Sequence, residues 1–460
     1  VDDSPFMRKI ISDLIAQDES FMIAGTATNG VEAIDQVKAL TPDAITLDVE
    51  MPTMNGIVAL QKIKEQYSTP VIMLSSLTEE GRQETISALE NGAFDFVCKP
   101  SPSGGNQDIH QVGQMLHEKL HAAIQAEERR QVLHKLEQEL KEKQALATET
   151  MSKRVAASRE ADAKRGSKVL KPEAKRSREA LTSKYNSSKV KGPVEDNNRQ
   201  DQSLKESKRI LSNRSSSTIK EPSNKPEKRT LPLKKDHFQS AVSIEKPVPV
   251  EAPSYLVDRN KESRGTTFQD LVAIGTSTGG PRALKALLSE LPGNLEAPVV
   301  IVQHMPPNFT RSLAQRLNSY SELEVKEAED GDVLRAGCAY LAPGGQHMGI
   351  VRDHRGNYVI ALNRDEPCSG HRPSVDKLFD SLLPLNKLER HLVLLTGMGS
   401  DGAKMMKKLY DHGVHSTFIE SEHTCVVYGM PRAAMELGCV THVAPIQSMA
   451  EQIVQAIHKD

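Results

Sequence analysis

Five cysteines in 460 residues, Cys98, Cys338, Cys368, Cys425 and Cys439, form no CxxC pair and no metal-ligand spacing. Their odd number and scatter exclude a disulfide framework, and a reducing, cytoplasmic setting is expected. No apolar run approaches the length needed to span a bilayer, and the start carries no signal-peptide pattern, so membrane insertion is not expected. Internal repeats of the solenoid kind are absent. So are helix-turn-helix and RNA-binding signatures, and nucleic acid is not an expected partner. The chain opens on Val1 rather than methionine, and its first strand is expected to be truncated.

A chain of this length exceeds one hydrophobic core, so two or more domains are expected. The net charge of −2 hides a strong asymmetry. Residues 151–240 carry 24 Lys/Arg against 11 Asp/Glu, an excess of +13 that leaves −15 for the rest. With Tyr185 and Phe238 as its aromatics, that stretch buries too little apolar surface to offset its ordering entropy and is expected to be a disordered linker. Its basic character suits a solvated spacer, with acidic-surface contact as the sharper reading.

On either side of the linker, strand and helix patterns alternate, the mark of parallel α/β sheets. Up to about residue 125 the pattern gives helices near 6–16, 30–40, 56–66 and 79–90. Strands are expected at FMIAGTA (21–27), DAITLD ending at Asp48, PVIMLS ending at Ser75, and FDFVCK ending at Lys99. Apolar residues at helical spacing then predict a helix from Asp108 to about Ala145, running into the linker. From about 266 a second α/β unit begins, with strands LVAIG, APVVIVQ and HLVLL and helices at 281–291 and 308–317. Between 332 and 363, CAYLAPGG and GNYVIALN predict an antiparallel appendage.

Three motifs follow the three apolar strands of the second unit: GTSTGG at 275–280, QHMPP at 303–307 and TGMGSDG at 396–402. Ligands bind beyond the carboxyl ends of strands in an open parallel sheet. Ser277, His304 and Asp401 are therefore candidates for a nucleophile, a base and an orienting carboxylate. GTSTG fits the G-x-S-x-G pattern of a serine on a sharp strand-to-helix turn, and a phosphate-binding loop is the plainer alternative. That alternative lacks the lysine of G-x-x-x-x-G-K-[ST]. The order Ser, His, Asp differs from that of the α/β-hydrolases, so the chemistry is shared without the fold.

In the first unit Asp2, Asp3 and Asp48 fall at strand ends on one edge, with Ser75 and Lys99 at equivalent ends. Adjacent carboxylates repel unless a cation lies among them, so a hard divalent ion is expected. Asp48 is then a candidate to accept a phosphoryl group.

Residues 1 to about 125 resemble the receiver domain of two-component response regulators through DD at 2–3, LDVEMPTMNG at 47–56, SS at 75–76 and KP at 99–100. The resemblance implies that Asp48 is the phosphoacceptor and that Asp3, Asp48 and the main-chain carbonyl of Glu50 hold Mg²⁺. It makes Ser75 and Lys99 the phosphoryl switch and Phe96 an aromatic switch. Residues 268–460 resemble the catalytic domain of chemotaxis protein-glutamate methylesterases of the CheB type, through IGTSTGG, QHMPPNFTRSLAQRLN, YLAPGGQHM, HRPSVD, LLTGMGSDG and CVVYGMPRAA. That implies a catalytic triad of Ser277, His304 and Asp401, and no cofactor for the esterase reaction.

The implied substrates are glutamate methyl esters and glutamines on methyl-accepting chemotaxis receptors, with a histidine kinase as phosphodonor. A linker of this length is a departure from the family's usual short one. Arg372 in HRPS is a candidate contact for an acidic receptor surface or a stabiliser of its loop. The expected architecture is α/β: two doubly wound parallel-sheet domains, a receiver at 1–125 and a Rossmann-like methylesterase domain at 267–460, joined by a helical extension and linker at 126–266. Two other readings are a scaffold that binds receptors without turnover and a regulator acting on nucleic acid through the linker.

Overall fold

The computed structural model describes residues 1–100, 105–165 and 265–458. Of the basic stretch 151–240 expected as a disordered linker, residues 151–165 instead continue the long helix that ends at Arg165, and the rest lies outside the described residues. No helix among the described residues is long and apolar enough to cross a membrane.

The first α/β layer runs α1 (Pro5–Ile15), α2 (Gly30–Leu40), β1 (Ile45–Asp48), α3 (Gly56–Gln66), β2 (Val71–Ser75), α4 (Glu79–Glu90) and β3 (Asp95–Cys98), followed by the long α5 (Gly105–Arg165). Polar side chains set the helix starts. Ser4, Asn29, Asn55 and Thr78 each accept a backbone N–H of the first turn, satisfying donors that would otherwise have no partner. The three strands are parallel in the order β1-β2-β3, and β2 is buried along its whole length. That double burial is why PVIML reads as an unbroken apolar run.

The expected strand at 21–27 does not form. Val1 and Asp2 lie between this segment and β1: the Val1 amine donates to the Thr46 carbonyl at 2.8 Å and Asp2 N–H donates to the Ala27 carbonyl at 3.2 Å. A ladder needs several residues abreast on both sides, and one bond to Ala27 does not make one.

The second layer comprises β4 (Asp270–Thr276), α6 (Gly280–Leu288), β5 (Val299–Gln303), α7 (Phe309–Asn318), β6 (Glu324–Glu327), β7 (Cys338–Leu341), β8 (His347–Arg352) and β9 (Tyr358–Asn363). It continues with α8 (Val375–Ser381), β10 (Glu389–Leu394), α9 (Ala403–Asp411), β11 (Ser416–Glu420), α10 (Met430–Glu436), β12 (His442–Ala444) and α11 (Ile446–Ile457). Seven strands form a parallel sheet in the order β12-β11-β10-β4-β5-β7-β6. From β4 the chain builds outward through β5, then returns to the other side of β4 at β10. The point where the winding reverses therefore lies at the centre of the sheet.

The antiparallel appendage is the β8–β9 hairpin alone. CAYL, expected to belong to it, is instead β7, a fully buried parallel strand between β5 and β6. Its short run carries no alternation, so periodicity could not separate the two cases. One apolar cluster fills the sheet face under α6, α7 and α11, and another fills the face under α8, α9 and α10.

The two layers belong to one compact unit. Phe96 stacks on Phe309 with ring centroids 4.8 Å apart. On α4, Glu90 pairs with Arg316 at 3.0 Å and Lys285 at 3.5 Å.

Candidate active site and phosphoacceptor pocket

Ser277, His304 and Asp401 follow β4, β5 and β10, which are adjacent in the sheet at its switch point. The sequence-derived trio is thus delivered to one crevice. Ser277 N–H donates to the Thr396 carbonyl at 3.1 Å, and Gln303 Nε2 donates to the Ser277 carbonyl at 2.9 Å. Gly279, at φ +82°, makes the turn into α6. A Cβ on Gly397 would lie 2.9 Å from Ser277 Cβ and 2.3 Å from Met430 sulfur, so a glycine of the third motif is what lets the serine approach.

His304 Nε2 lies 2.8 Å from Asp401 Oδ2. The carboxylate also accepts Val375 N–H at 2.7 Å, Asp376 N–H at 3.0 Å and the Ser374 hydroxyl at 2.9 Å. Ser374 caps α8, so Asp401 faces the positive end of that helix. Burial opposes its ionisation, but the hydrogen bond and charge of His304, aided by these amides, hold the carboxyl below its ordinary value. An ionised Asp401 accepts only, so neutral His304 carries its proton on Nε2 and leaves Nδ1 as the basic nitrogen. Nδ1 is buried and has no partner among the described residues. No hydrogen bond joins it to Ser277 here, a gap common before substrate binds.

Sequence reasoning missed His371. Its ring stacks on His304, with centroids 3.8 Å apart and planes 9° from parallel. Burial, then the His304 charge, push its pKa down to about 4. A neutral ring is thus kept against the His304 imidazole. The motif HRPSVD contains His371 together with Ser374, Val375 and Asp376, which grip Asp401; that motif was the available signal. Arg372 Nη1 donates to the Arg364 and Asp365 carbonyls at 3.2 and 3.0 Å, bracing its own loop. Glu422 and His423, without a role from sequence, meet α5 through Arg129 and Glu137.

In the first layer the carboxylate oxygens of Asp2, Asp3 and Asp48 all lie within 4.8 Å of one another. Lys99 reaches Asp2 at 2.9 Å and Asp48 at 2.7 Å. Burial pushes the Asp48 carboxyl up to about 6, against the opposing pull of Lys99. Asp2 is further committed to Ser4 N–H at 3.0 Å, whereas the exposed Asp3 carboxylate has no partner among the described residues. Glu50 follows closely, its N–H 3.3 Å from Asp48 Oδ1. This oxygen-rich set of hard donors fits Mg²⁺. The Ser75 hydroxyl is held by Thr85 at 2.6 Å and makes no hydrogen bond to Asp48.

Asp95 joins the two sites. Its Oδ2 accepts from the Thr278 hydroxyl at 2.5 Å and from Lys119 on α5 at 2.7 Å. The residue after the candidate nucleophile is therefore tied to the first layer.

Residues 272–453 match the CheB methylesterase family, and residues 1–111 match the response regulator receiver domain. A protein-glutamate methylesterase/protein-glutamine glutaminase of Bacillus subtilis is 36% identical over 460 residues, covering 100% of this chain and 98% of that one. The chain belongs to the CheB methylesterase family. A Geobacillus kaustophilus protein of the same description is 36% identical across 99% of this chain and 97% of its own length. The CheB methylesterase catalytic domain of Thermotoga maritima is 42% identical over 41% of this chain and all of its own, with a TM-score of 0.40. The chain is a protein-glutamate methylesterase and protein-glutamine glutaminase with an amino-terminal receiver. In this CheB chain the matched regions contain both sites described above.

Proposed function

We propose that Ser277, His304 and Asp401 carry the esterase reaction on glutamate methyl esters of chemotaxis receptors. Ser277 Oγ attacks the ester carbonyl as His304 accepts its proton, and Asp401 stabilises the imidazolium. His304 returns the proton to departing methoxide, releasing methanol, and water then hydrolyses the glutamyl-serine ester. For glutamine the leaving group is ammonia. Thr278 and Met398 N–H make no hydrogen bond among the described residues and are the candidate oxyanion donors. The observation that carries this reading is the four-donor grip on Asp401 behind His304, which a scaffold without turnover does not need.

The division we propose is a receiver at 1–125, an extension and linker at 126–266, and a catalytic domain at 267–460. Asp48 is the phosphoacceptor, supplied by a histidine kinase, and Asp3, Asp48 and the Glu50 carbonyl would hold Mg²⁺. When bound, the ion offsets negative charge building on the phosphoryl oxygens. Lys99 pairs with the phosphoryl group and Ser75 turns to bind it. We infer that this switch reaches the crevice through Phe96, stacked on Phe309, and Asp95, bonded to Thr278. We place the chain in a reducing cytoplasm, a setting that suits five cysteines with no disulfide among the described residues.

The test is methanol release from methylated receptor cytoplasmic fragments. Ser277→Ala is expected to abolish it with no change in unfolding midpoint. Continued release from the folded variant would point to another nucleophile.

A further inference from the structure

The opposite end of the large sheet carries a second arrangement of the same three residue types. Asp270 opens β4, His391 is the third residue of β10, and Ser416 opens β11, so three neighbouring strands present them side by side. His391 lies directly abreast of Ser416 in the parallel register. Alternation puts all three on the face that buries Val272, Val393 and Phe418 further along.

His391 is 3% exposed and uses both ring nitrogens: Nε2 lies 2.8 Å from Asp270 Oδ1, and Nδ1 lies 2.6 Å from Ser416 Oγ. An ionised Asp270 only accepts, which fixes the proton of neutral His391 on Nε2. Nδ1 must then accept the Ser416 proton. The hydroxyl is a donor to a buried base that a partly exposed carboxylate orients. Among the described residues this is the one Asp, His and Ser chain in which carboxylate and hydroxyl occupy opposite nitrogens of the ring. Ser416 is only half-buried. All three line an open cavity of about 1350 Å³ whose wall also holds His415, His442 and His458.

We propose that Asp270, His391 and Ser416 form a second nucleophilic relay, reactive toward small uncharged carboxylic esters that enter this cavity. Ser416 Oγ bonds to the carbonyl carbon while its proton passes to His391 Nδ1. The bond to the leaving oxygen breaks, and that oxygen takes the proton from Nδ1. Water, giving a proton to the same nitrogen, hydrolyses the acyl-serine and releases the carboxylic acid. The relay lies at the amino ends of the strands, whereas Ser277 lies beyond the carboxyl ends, so the two nucleophiles react independently.

The full-length Ser277→Ala protein, treated with a fluorophosphonate that loses fluoride to an activated serine, tests this. Peptide mass mapping is expected to find the adduct on Ser416. Adding His391→Gln is expected to slow labelling by about 100-fold or more, the usual worth of a positioned general base. Asp270→Asn, which keeps side-chain volume, is the second variant should His391→Gln fail to unfold cooperatively. No adduct on Ser416, or an unchanged labelling rate in the folded base or carboxylate variant, would reduce the trio to a polar ladder at the sheet edge and overturn the proposal.

Discussion

Asp401→Asn is the most informative single change, because every oxygen lone pair of this carboxylate that the structure uses faces a donor. Oδ2 accepts from His304 and Val375, and Oδ1 accepts from Ser374 and Asp376. An amide replaces one oxygen by a donor, so one side must fail. If the NH₂ faces His304, the imidazole must shift its proton to Nδ1, the nitrogen needed as base, and Val375 N–H loses its partner. If it faces Ser374, the hydroxyl can turn to accept, but Asp376 N–H is left unpaired. Either choice strands one backbone donor, which costs about 1–3 kcal/mol of stability. Activity falls further, because the wrong tautomer or an unstabilised imidazolium typically lowers kcat about 10⁴-fold, roughly 5.5 kcal/mol of barrier. The assays are methanol release and the urea midpoint. A stable Asn variant within tenfold of the parent activity would refute the role given to Asp401.

Gly397→Ala would place a methyl 2.3 Å from Met430 sulfur and 2.9 Å from Ser277 Cβ. Overpacking of this kind costs about 1–3 kcal/mol, and kcat should fall with it; an active, equally stable variant would show that the loop is looser than the structure has it. The pKa of His371 lies at about 4, below its ordinary 6.5, so between these values the unfolded chain binds a proton that the folded chain excludes. Stability should therefore drop as pH falls from about 6.5 to about 4, by roughly 1–2 kcal/mol after allowance for solvent screening. His371→Gln should flatten that part of the urea-midpoint profile. Glu90→Lys would set like charges against Arg316 and Lys285 and is expected to raise unphosphorylated activity severalfold; unchanged basal release would mean that this contact does not restrain the enzyme.

Local chemistry made much of the fold readable. Helices 30–40, 56–66 and 79–90 begin after Asn29, Asn55 and Thr78, each a residue whose side chain caps the first turn. Continuous β-branched runs gave the buried strands that carry Ser277, His304 and Asp401 to one edge. The failures are where partners decide. Residues 21–27 have strand composition but no run of backbone groups to pair with. CAYL is too short for its period to choose between hairpin and parallel sheet. His371 was invisible as a stacking partner because its contact with His304 spans 67 positions. The hydrogen bond from Thr278 to Asp95 crosses 183 positions, and no spacing rule connects them.

One chain is expected to couple a phosphoacceptor at Asp48 to hydrolysis at Ser277. Methanol release by the full-length protein, measured with and without a small phosphodonor plus Mg²⁺, tests it most directly when run beside Asp48→Asn. The parent protein is expected to be stimulated, whereas the Asn variant keeps its basal rate and ignores the phosphodonor. Equal stimulation of both proteins would contradict it.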